Sequence, residues 1–194
     1  MKIRLLIFLS FFFTSVYSQQ EAHNKYIKLT GGKVSFGTGD FFGYGFSTEL
    51  SKNIIKHVNV GVEATIENGR KQPSVNNNLL TFHQVSNAAV TLKMNYYPFN
   101  KFVKGFNVDV GPTLGYQSKT TEAGHTTYFD SVGTPYLRRT ILEYNNTWFT
   151  GYRISLNYDF NFIKGFLFGL RSDFSNYNNG DINILLGVKA GYRF

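Results

Sequence analysis

The sequence predicts an all-β protein built as an eight-stranded, antiparallel, up-and-down transmembrane β-barrel. Two observations predict this fold: apolar and polar residues alternate in successive segments, and no apolar run is long enough to cross a bilayer as a helix. The clearest segment is the last one, Asp181 to Phe194. Its even positions are apolar or aromatic from Ile182 onward, and its odd positions are mainly polar or glycine, with Leu185 as the interruption. This pattern is typical of a strand with one face toward lipid and one toward a barrel lumen.

The N-terminal residues have the features of a secretory signal peptide. Lys2 and Arg4 precede an apolar run from Leu5 to Phe13, and Val16-Tyr17-Ser18 forms a small-x-small cleavage motif. The chain contains no cysteine, so neither a disulfide nor a lipid-anchored cysteine is possible. The sequence therefore predicts two parts, a cleaved signal peptide and an outer-membrane β-barrel domain: 1–18 and 19–194.

The domain is basic, and this charge bears on its partners. The whole chain has 20 Lys and Arg against 12 Asp and Glu, and the signal peptide removes two of the bases. The remaining bases are scattered singly rather than grouped into a patch or run. This distribution favours attraction to anionic lipid headgroups over binding of nucleic acid. We therefore expect outer-membrane lipid, and no nucleic acid, among the partners.

Eight segments are predicted as strands in chain order. Two of them carry irregularities: Gly31-Gly32 interrupts the alternation of the first, and Pro112 removes one hydrogen-bond donor from the fifth, so a bulge is expected at each place. The region from Ser118 to about Glu143 is predicted as a long loop. The predicted strands are Tyr26–Gly37, Phe42–Leu50, Val58–Glu67, Leu80–Tyr97, Phe106–Gln117, Trp148–Phe160, Phe166–Phe174 and Asp181–Phe194.

The connections between these strands alternate in kind. Those after the second, fourth and sixth strands share a short local repeat, at Ile54–Val58, Phe102–Phe106 and Phe162–Phe166, whereas the others include long polar segments. Short turns at one rim and longer loops at the other are typical of outer-membrane barrels. Both chain termini then fall on the short-turn side, which we expect to be the periplasm.

The glycines indicate which face points inward. Within the strands they lie on the polar face, and a narrow eight-stranded barrel has room inside mainly for small residues. The bulky apolar face must then point outward, which is stable only in lipid; the alternative is a soluble β-sandwich with aromatic packing. The glycines on the polar face are Gly43, Gly45, Gly61, Gly111, Gly115, Gly151, Gly169, Gly187 and Gly191.

The aromatic residues form two groups along the strands, as expected for girdles at the two membrane interfaces. One group lies near the short turns and the other near the loops. The first comprises Tyr96, Phe99, Phe106, Tyr158, Phe160, Phe166, Tyr192 and Phe194, and the second Phe42, Tyr44, Tyr116, Trp148 and Phe174.

The signal peptide, the eight alternating segments and the terminal Gly191-Tyr192-Arg193-Phe194 together resemble the small outer-membrane β-barrel proteins of the OmpA/OmpX type. The resemblance implies a monomer in the cell outer membrane whose aromatic-ended last strand is read by the barrel-assembly machinery. That family includes adhesins, structural proteins and enzymes, so the resemblance leaves the activity open.

The nearest approach to a catalytic motif is His83-Gln84-Val85-Ser86-Asn87. It resembles the His-x-Ser-Asn run of outer-membrane lipid A deacylases, in which a histidine activates a serine nucleophile. Here His83 and Ser86 are three residues apart, so a regular strand places them on opposite faces. We therefore assign no catalytic residue, and a lipid A-modifying hydrolase remains an alternative.

Other site chemistry has weak support in the sequence. The histidines His23, His57, His83 and His125 lie in separate segments without metal-ligand spacing, so no metal site is predicted. Gly43-Tyr44-Gly45 lies within a strand rather than before a helix, so no cofactor-binding loop is predicted. Three loop cations could contact lipopolysaccharide phosphates, but a merely solvated loop is the favoured explanation of Lys119, Arg138 and Arg139, because scattered charges on an exposed loop need no partner.

The predicted function is a non-enzymatic outer-membrane barrel with a structural or loop-mediated interaction role. The alternatives are the hydrolase and a narrow pore. Acids and bases on the polar face are nearly equal in number, which predicts a lumen filled by ion pairs. The acids are Glu49, Glu63, Glu67, Asp109, Asp159 and Asp173, and the bases are Lys93, Arg153, Arg171, Lys189 and Arg193.

Overall fold

In the computed structural model the chain forms a closed barrel in which each strand pairs with its sequence neighbours and β8 pairs with β1. All pairings are antiparallel, which confirms the eight-stranded up-and-down fold. The structure describes residues 25–37, 41–55, 57–71, 83–99, 105–129, 131–133, 135–163 and 165–194, and the predicted signal peptide lies outside them. The strands are β1 Lys25–Phe36, β2 Phe41–Ile55, β3 Val58–Lys71, β4 His83–Tyr96, β5 Gly105–Phe129, β6 Pro135–Ile163, β7 Phe166–Tyr177 and β8 Ile182–Arg193. No helix in these residues is long and apolar enough to cross a membrane.

The two faces of the sheet are divided as the glycines predicted. Charged and amide side chains are buried inside the barrel, and large apolar side chains are exposed outside it. This inverts the arrangement of a soluble protein and requires an apolar surrounding medium. Exposed outward residues occur on every strand and include Leu29, Phe46, Ile66, Leu92, Leu114, Leu156, Leu170 and Val188.

The prediction of a bulge in β1 is wrong. From Lys25 to Phe36 the strand keeps one register with both β2 and β8. Gly31 and Gly32 obscured the alternation because a glycine has no side chain to mark its face. Gly32 is needed for a different reason: a Cβ there would collide with the backbone of Leu186 and Gly187 on β8, so the two strands approach closely at this point.

Pro112 also causes no bulge. β4 and β5 keep the same register on both sides of it, but the pairings Leu92–Pro112 and Lys93–Gly111 are missing. Both pairings depend on the N–H that proline lacks. The Leu92 carbonyl oxygen lies so near Gly111 that a Cβ at this position would collide with it. The glycine therefore makes the proline tolerable.

The region predicted as a long loop is largely an extension of two strands. β5 and β6 remain paired from Gly105–Asp159 as far as Phe129–Pro135, with register shifts between Glu122 and Gly124 and at Tyr128. β4 pairs with β5 only up to Thr121, and β7 pairs with β6 only from Gly151 onward. The outer part of the β5–β6 pair thus projects beyond the barrel, and we call residues 119–129 and 135–149 the projecting hairpin.

The rim that carries both chain ends is here called the terminal end, and the opposite rim the loop end. At the terminal end β2 continues to Ile55, beyond the predicted end at Leu50, so the turn to β3 is tight. His57 in this turn has φ of 139°, and the equivalent positions of the next two turns, Gly105 and Gly165, have φ of 112° and 88°. The fourth residue of each repeat thus has a positive φ.

Candidate functional site: the filled lumen and the projecting hairpin

The lumen contains a network of buried ion pairs centred on Glu63. Its carboxylate accepts hydrogen bonds from Lys93 Nζ at 2.9 Å, Arg153 Nη1 at 3.0 Å and Arg171 Nη2 at 2.8 Å. Each partner comes from a different strand, and the Glu63 side chain is inaccessible to solvent. Glu63 therefore ties β3 to β4, β6 and β7 across the interior.

The network extends from Lys93 toward the terminal end. Lys93 Nζ lies 2.9 Å from Asp109 Oδ2 and 3.4 Å from Glu49 Oε2, and Glu49 accepts a second bond from Lys28 Nζ at 2.8 Å. The predicted cross-strand ion pairing is confirmed, with one change in the residues that take part. Lys28 is the fifth buried base among the described residues, whereas Arg193 is half-buried at the rim, with its Cζ 5.8 Å from the centre of the Tyr26 ring.

Toward the loop end the network continues through Arg153 and Arg171. Arg153 Nη2 donates to Glu67 Oε1 at 2.8 Å and to the Tyr177 hydroxyl at 3.2 Å. Arg171 Nε donates to Asp173 Oδ1 at 2.6 Å. Glu67 also accepts bonds from two amides, so its charge is fully compensated inside the barrel: Asn87 at 3.3 Å and Asn183 at 2.7 Å.

A layer of apolar side chains covers this network at the loop end. Four of them form one cluster: Val34, Phe36, Val85 and Leu185. Beside it the rings of Phe149 and Tyr177 lie 4.3 Å apart over Ala89. Leu185 is thus an inward residue of this layer, which explains why it interrupted the predicted alternation. The apolar layer keeps water away from the ion pairs below it, and a low dielectric strengthens them.

The terminal half of the lumen is polar, and only some of its polar groups form hydrogen bonds. Asn107 Nδ2 donates to Asp159 Oδ2 at 2.9 Å, and Lys189 Nζ lies 2.5 Å from Asp159 Oδ1. In contrast, neither amide atom of the fully buried Asn59 side chain has a hydrogen-bond partner among the residues that the structure describes. Just outside β4 the Tyr97 side chain is buried, and this burial raises the pKa of its hydroxyl above the ordinary value.

The arrangement of side chains in the lumen supports a structural role. Nearly all inward charges are paired, and among the described residues side chains fill the interior from the tyrosines of the terminal end to the apolar layer. An eight-stranded barrel is just wide enough for such filling. A conducting path would instead require a continuous wet route lined by one dominant sign of charge.

The sequence motif with catalytic resemblance does not form a site in this geometry. β4 passes from His83 to Ser86 without a register shift, so positions 83 and 86 lie on opposite faces of the sheet. Among the described residues no three His, Cys, Asp or Glu side chains are grouped as a metal site. His57 has a structural contact, with Nδ1 lying 2.8 Å from the Tyr97 carbonyl oxygen, and His23 lies outside the described residues.

The three loop cations are not grouped. Lys119 lies at the base of the projecting hairpin, where its backbone pairs with Asn145 and Val85. Arg138 and Arg139 pair with Thr127 and Thr126 near the tip. Seven or eight residues of strand separate the two levels, which is on the order of 25 Å. One phosphate group therefore cannot contact all three positions.

The projecting hairpin has an open edge. At the rim, Asn178 N donates to Thr150 O at 2.8 Å and Thr150 N donates to Asn178 Oδ1 at 3.0 Å, which ends the pairing of β6 on the β7 side. Beyond this point no described strand pairs with that side of β6. Because hydrogen-bonding groups alternate along a strand, the open side carries the N–H and C=O groups of Trp148, Asn146, Tyr144 and Leu142.

The solved structures similar to this chain include several outer-membrane proteins. Ail, the attachment invasion locus protein of Yersinia pestis, matches with a TM-score of 0.53 at 12% identity, over 89% of this chain and 99% of Ail. Neisserial surface protein A matches with a TM-score of 0.52 at 11% identity, over 88% and 97%. The outer membrane protease OmpT from Escherichia coli matches with a TM-score of 0.50 at 8% identity, over 92% and 99%. No protein-family model and no curated protein matches the sequence.

These comparisons and the closed sheet define the class of the protein. The chain has the fold of the small eight-stranded β-barrels of the bacterial outer membrane. Such low identities show the fold alone, and the similar solved structures include an outer membrane protease as well as a surface protein. The activity must therefore be argued from this chain's own lumen and hairpin.

Proposed function

We propose that the protein is a non-enzymatic outer-membrane barrel that presents the projecting hairpin as a binding element. The observation that carries this proposal is the open edge of β6 between residues 141 and 149. An unpaired edge is a template for an added strand, which gains main-chain hydrogen bonds. The filled lumen supplies a rigid support for it and offers no route for a solute.

The surface of the hairpin favours the same role. From Lys119 to Phe129 the hairpin extends on the order of 35 Å, a length taken from the rise of ten paired residues. Large apolar side chains are exposed along it, and clusters of this kind mark interaction sites on soluble surfaces. They are Tyr128, Phe129, Ile141, Leu142 and Tyr144, and Val132 between the two strands is exposed as well.

We further propose the orientation and biogenesis that the sequence predicted. The terminal end lies at the periplasmic face after removal of residues 1–18, and the hairpin then faces the exterior. The barrel-assembly machinery reads the last strand, and the folded protein is a monomer in contact with outer-membrane lipid and lipopolysaccharide. Protease treatment of intact cells tests the orientation, because the hairpin at the loop end should be cleaved from outside and the terminal end should not.

A substitution on the open edge tests the binding role. Tyr144→Pro removes one N–H from the open side of β6 and leaves the hydrogen bonds to β5 in place, whereas Tyr144→Ala removes only the ring. A photoreactive amino acid at position 146 should cross-link a partner protein on intact cells. Cross-linking should survive in the Tyr144→Ala background and be lost with Tyr144→Pro. Equal cross-linking in both backgrounds, or none in the parent protein, would refute strand addition.

A further inference from the structure

We infer that the lipid-facing wall carries a phospholipid site in a furrow that rises from the terminal end. The furrow has a volume of about 900 Å³ and lies between two rows of outward side chains on neighbouring strands. The rows follow the cross-strand pairings. The upper row is Leu50, Val62, Leu92, Pro112 and Tyr152, and the lower row is Phe194, Lys25, Lys52, Val60, Met94 and Val110.

The floor of the furrow is strand backbone with little side-chain cover. It passes over Gly61, Lys93 and Gly111, whose side chains, where present, point into the barrel. The missing Lys93–Gly111 pairing lies in this floor, and the missing Leu92–Pro112 pairing lies in the upper row beside it. The proline ring and the interrupted ladder therefore shape a groove at the level where a regular sheet would be flat.

The walls of the furrow require an apolar occupant. Outward side chains from β2 to β6 form them, and these side chains lie within the band that faces lipid. The furrow begins near the ends of β1 and β2 and reaches Tyr152, eleven residues before the end of β6. A groove that starts at one interface and climbs toward the middle of the bilayer has the course of an acyl chain.

Two lysines that have no ion-pair partner among the described residues lie at the lower end of the furrow. Lys25 and Lys52 are direct cross-strand neighbours and both point outward. Like charges at this spacing destabilise a sheet unless an anion lies between them. Neither lysine forms an ion pair within the described residues, the carboxylate of the adjacent Phe194 included. At the interface, the phosphate of a phospholipid is the available anion, and net attraction from two lysines exceeds repulsion from one carboxylate.

Labelling of the full-length mature barrel in vesicles tests this site. The probe is phosphatidylglycerol with a photoreactive group on one acyl chain, and labelled peptides are mapped by mass spectrometry. Heat-dependent gel mobility first selects the folded fraction of each variant. We expect labelling to concentrate on residues 92–94 and 110–112, several-fold above the opposite wall at 184–188. Uniform labelling around the barrel would overturn the proposal.

Paired variants separate the acyl chain from the headgroup. Val60→Trp fills the furrow and should reduce the labelling several-fold, whereas Val188→Trp on the exposed wall of β8 should not. Lys25→Gln with Lys52→Gln should also reduce it, whereas Lys33→Gln near the loop end should not. Labelling unchanged by both furrow variants would overturn the site. The result does not depend on the hairpin, so its failure and that of strand addition are distinguishable.

Discussion

Glu63 is the residue on which the luminal contacts converge, and its removal tests whether the network stabilises the barrel. Glu63→Gln keeps the shape of the side chain but leaves Lys93, Arg153 and Arg171 with less negative charge around them. Breaking a buried ion pair from one side costs about 3–5 kcal/mol. We expect a loss of this size in the free energy of unfolding, measured by urea titration in lipid vesicles.

The control for this measurement is Glu143→Gln, which removes the same charge from an exposed position on the projecting hairpin. Exposed charges contribute about 0–1 kcal/mol, so this variant should unfold like the parent protein. Equal unfolding midpoints for both glutamine variants would show that the buried network does not stabilise the barrel.

His57 presents a second test at the scale of one residue. Its φ of 139° lies in a region that side chains with a Cβ rarely adopt, and its ring contacts the Tyr97 carbonyl oxygen at 2.8 Å. His57→Ala keeps the strain and loses the contact, whereas His57→Gly loses both. The glycine variant should therefore be more stable than the alanine variant by about 1 kcal/mol, the reverse of the usual order. Urea unfolding checks the order, and a more stable alanine variant would contradict it.

The strand elements were predictable wherever they face lipid. In Phe42–Leu50 and in the last strand the outward residues are bulky and apolar, so the period of two is visible in the letters alone. The projecting hairpin was predicted as a loop because it lies beyond the membrane, where neither face needs apolar residues. Its pairing depends on backbone hydrogen bonds, which composition does not reveal.

The sequence predicted that ion pairs fill the lumen, but it predicted less well which residues lie there. The six acids follow from alternation, but Lys28 was missed because Gly31-Gly32 obscured the faces of β1. The apolar layer was missed because Phe149 and Leu185 lie on the face expected to be polar. In the sequence, Leu185 was visible as the single interruption of the alternation in the last strand. Only the structure shows that these two exceptions, Phe149 and Leu185, lie at the same level of the barrel.

The Gly111-Pro112 pair gives a test at the scale of the β4–β5 ladder. Gly111→Ala would place a Cβ against the Leu92 carbonyl oxygen, and overpacking of this kind costs about 1–3 kcal/mol. In a Pro112→Ala background the restored N–H should draw that oxygen back into the ladder, so the same glycine substitution should cost less. Gly124→Ala is the control, because nothing lies within 4 Å of its added Cβ. Additive effects at 111 and 112, measured by urea unfolding, would contradict the coupling.

Closure of the sheet depends on the last residue. Phe194 N donates to Lys25 O at 3.1 Å, and Lys25 N donates to Phe194 O at 3.2 Å, where β8 meets β1. An open edge in lipid costs several kcal/mol for each unsatisfied backbone group. Phe194→Asp, or deletion of Phe194, should sharply lower the folded yield in cells, scored by heat-dependent gel mobility. Phe129→Asp on the exposed hairpin is the control, and a parental yield from Phe194→Asp would count against the assignment of this strand.

At the scale of the whole molecule, charged side chains lie inside the barrel and large apolar side chains lie outside it, which is the reverse of a soluble protein. The inward charges are buried and paired with one another, so they fill the interior without forming a channel. The outward surface requires lipid, and exposed aromatic side chains lie toward both ends of the barrel. The hairpin and the furrow then provide two separate surfaces, one beyond the membrane and one within it.

Conductance in a planar lipid bilayer tests this account most directly, because it reports whether the lumen is filled. Purified mature protein is inserted after its folded state has been verified by heat-dependent gel mobility, and current is recorded at both polarities. The paired charges and the apolar layer of Val34, Phe36, Val85 and Leu185 predict no stable, reproducible channel. A steady open channel of constant conductance would contradict the filled lumen and, with it, the assignment of the faces.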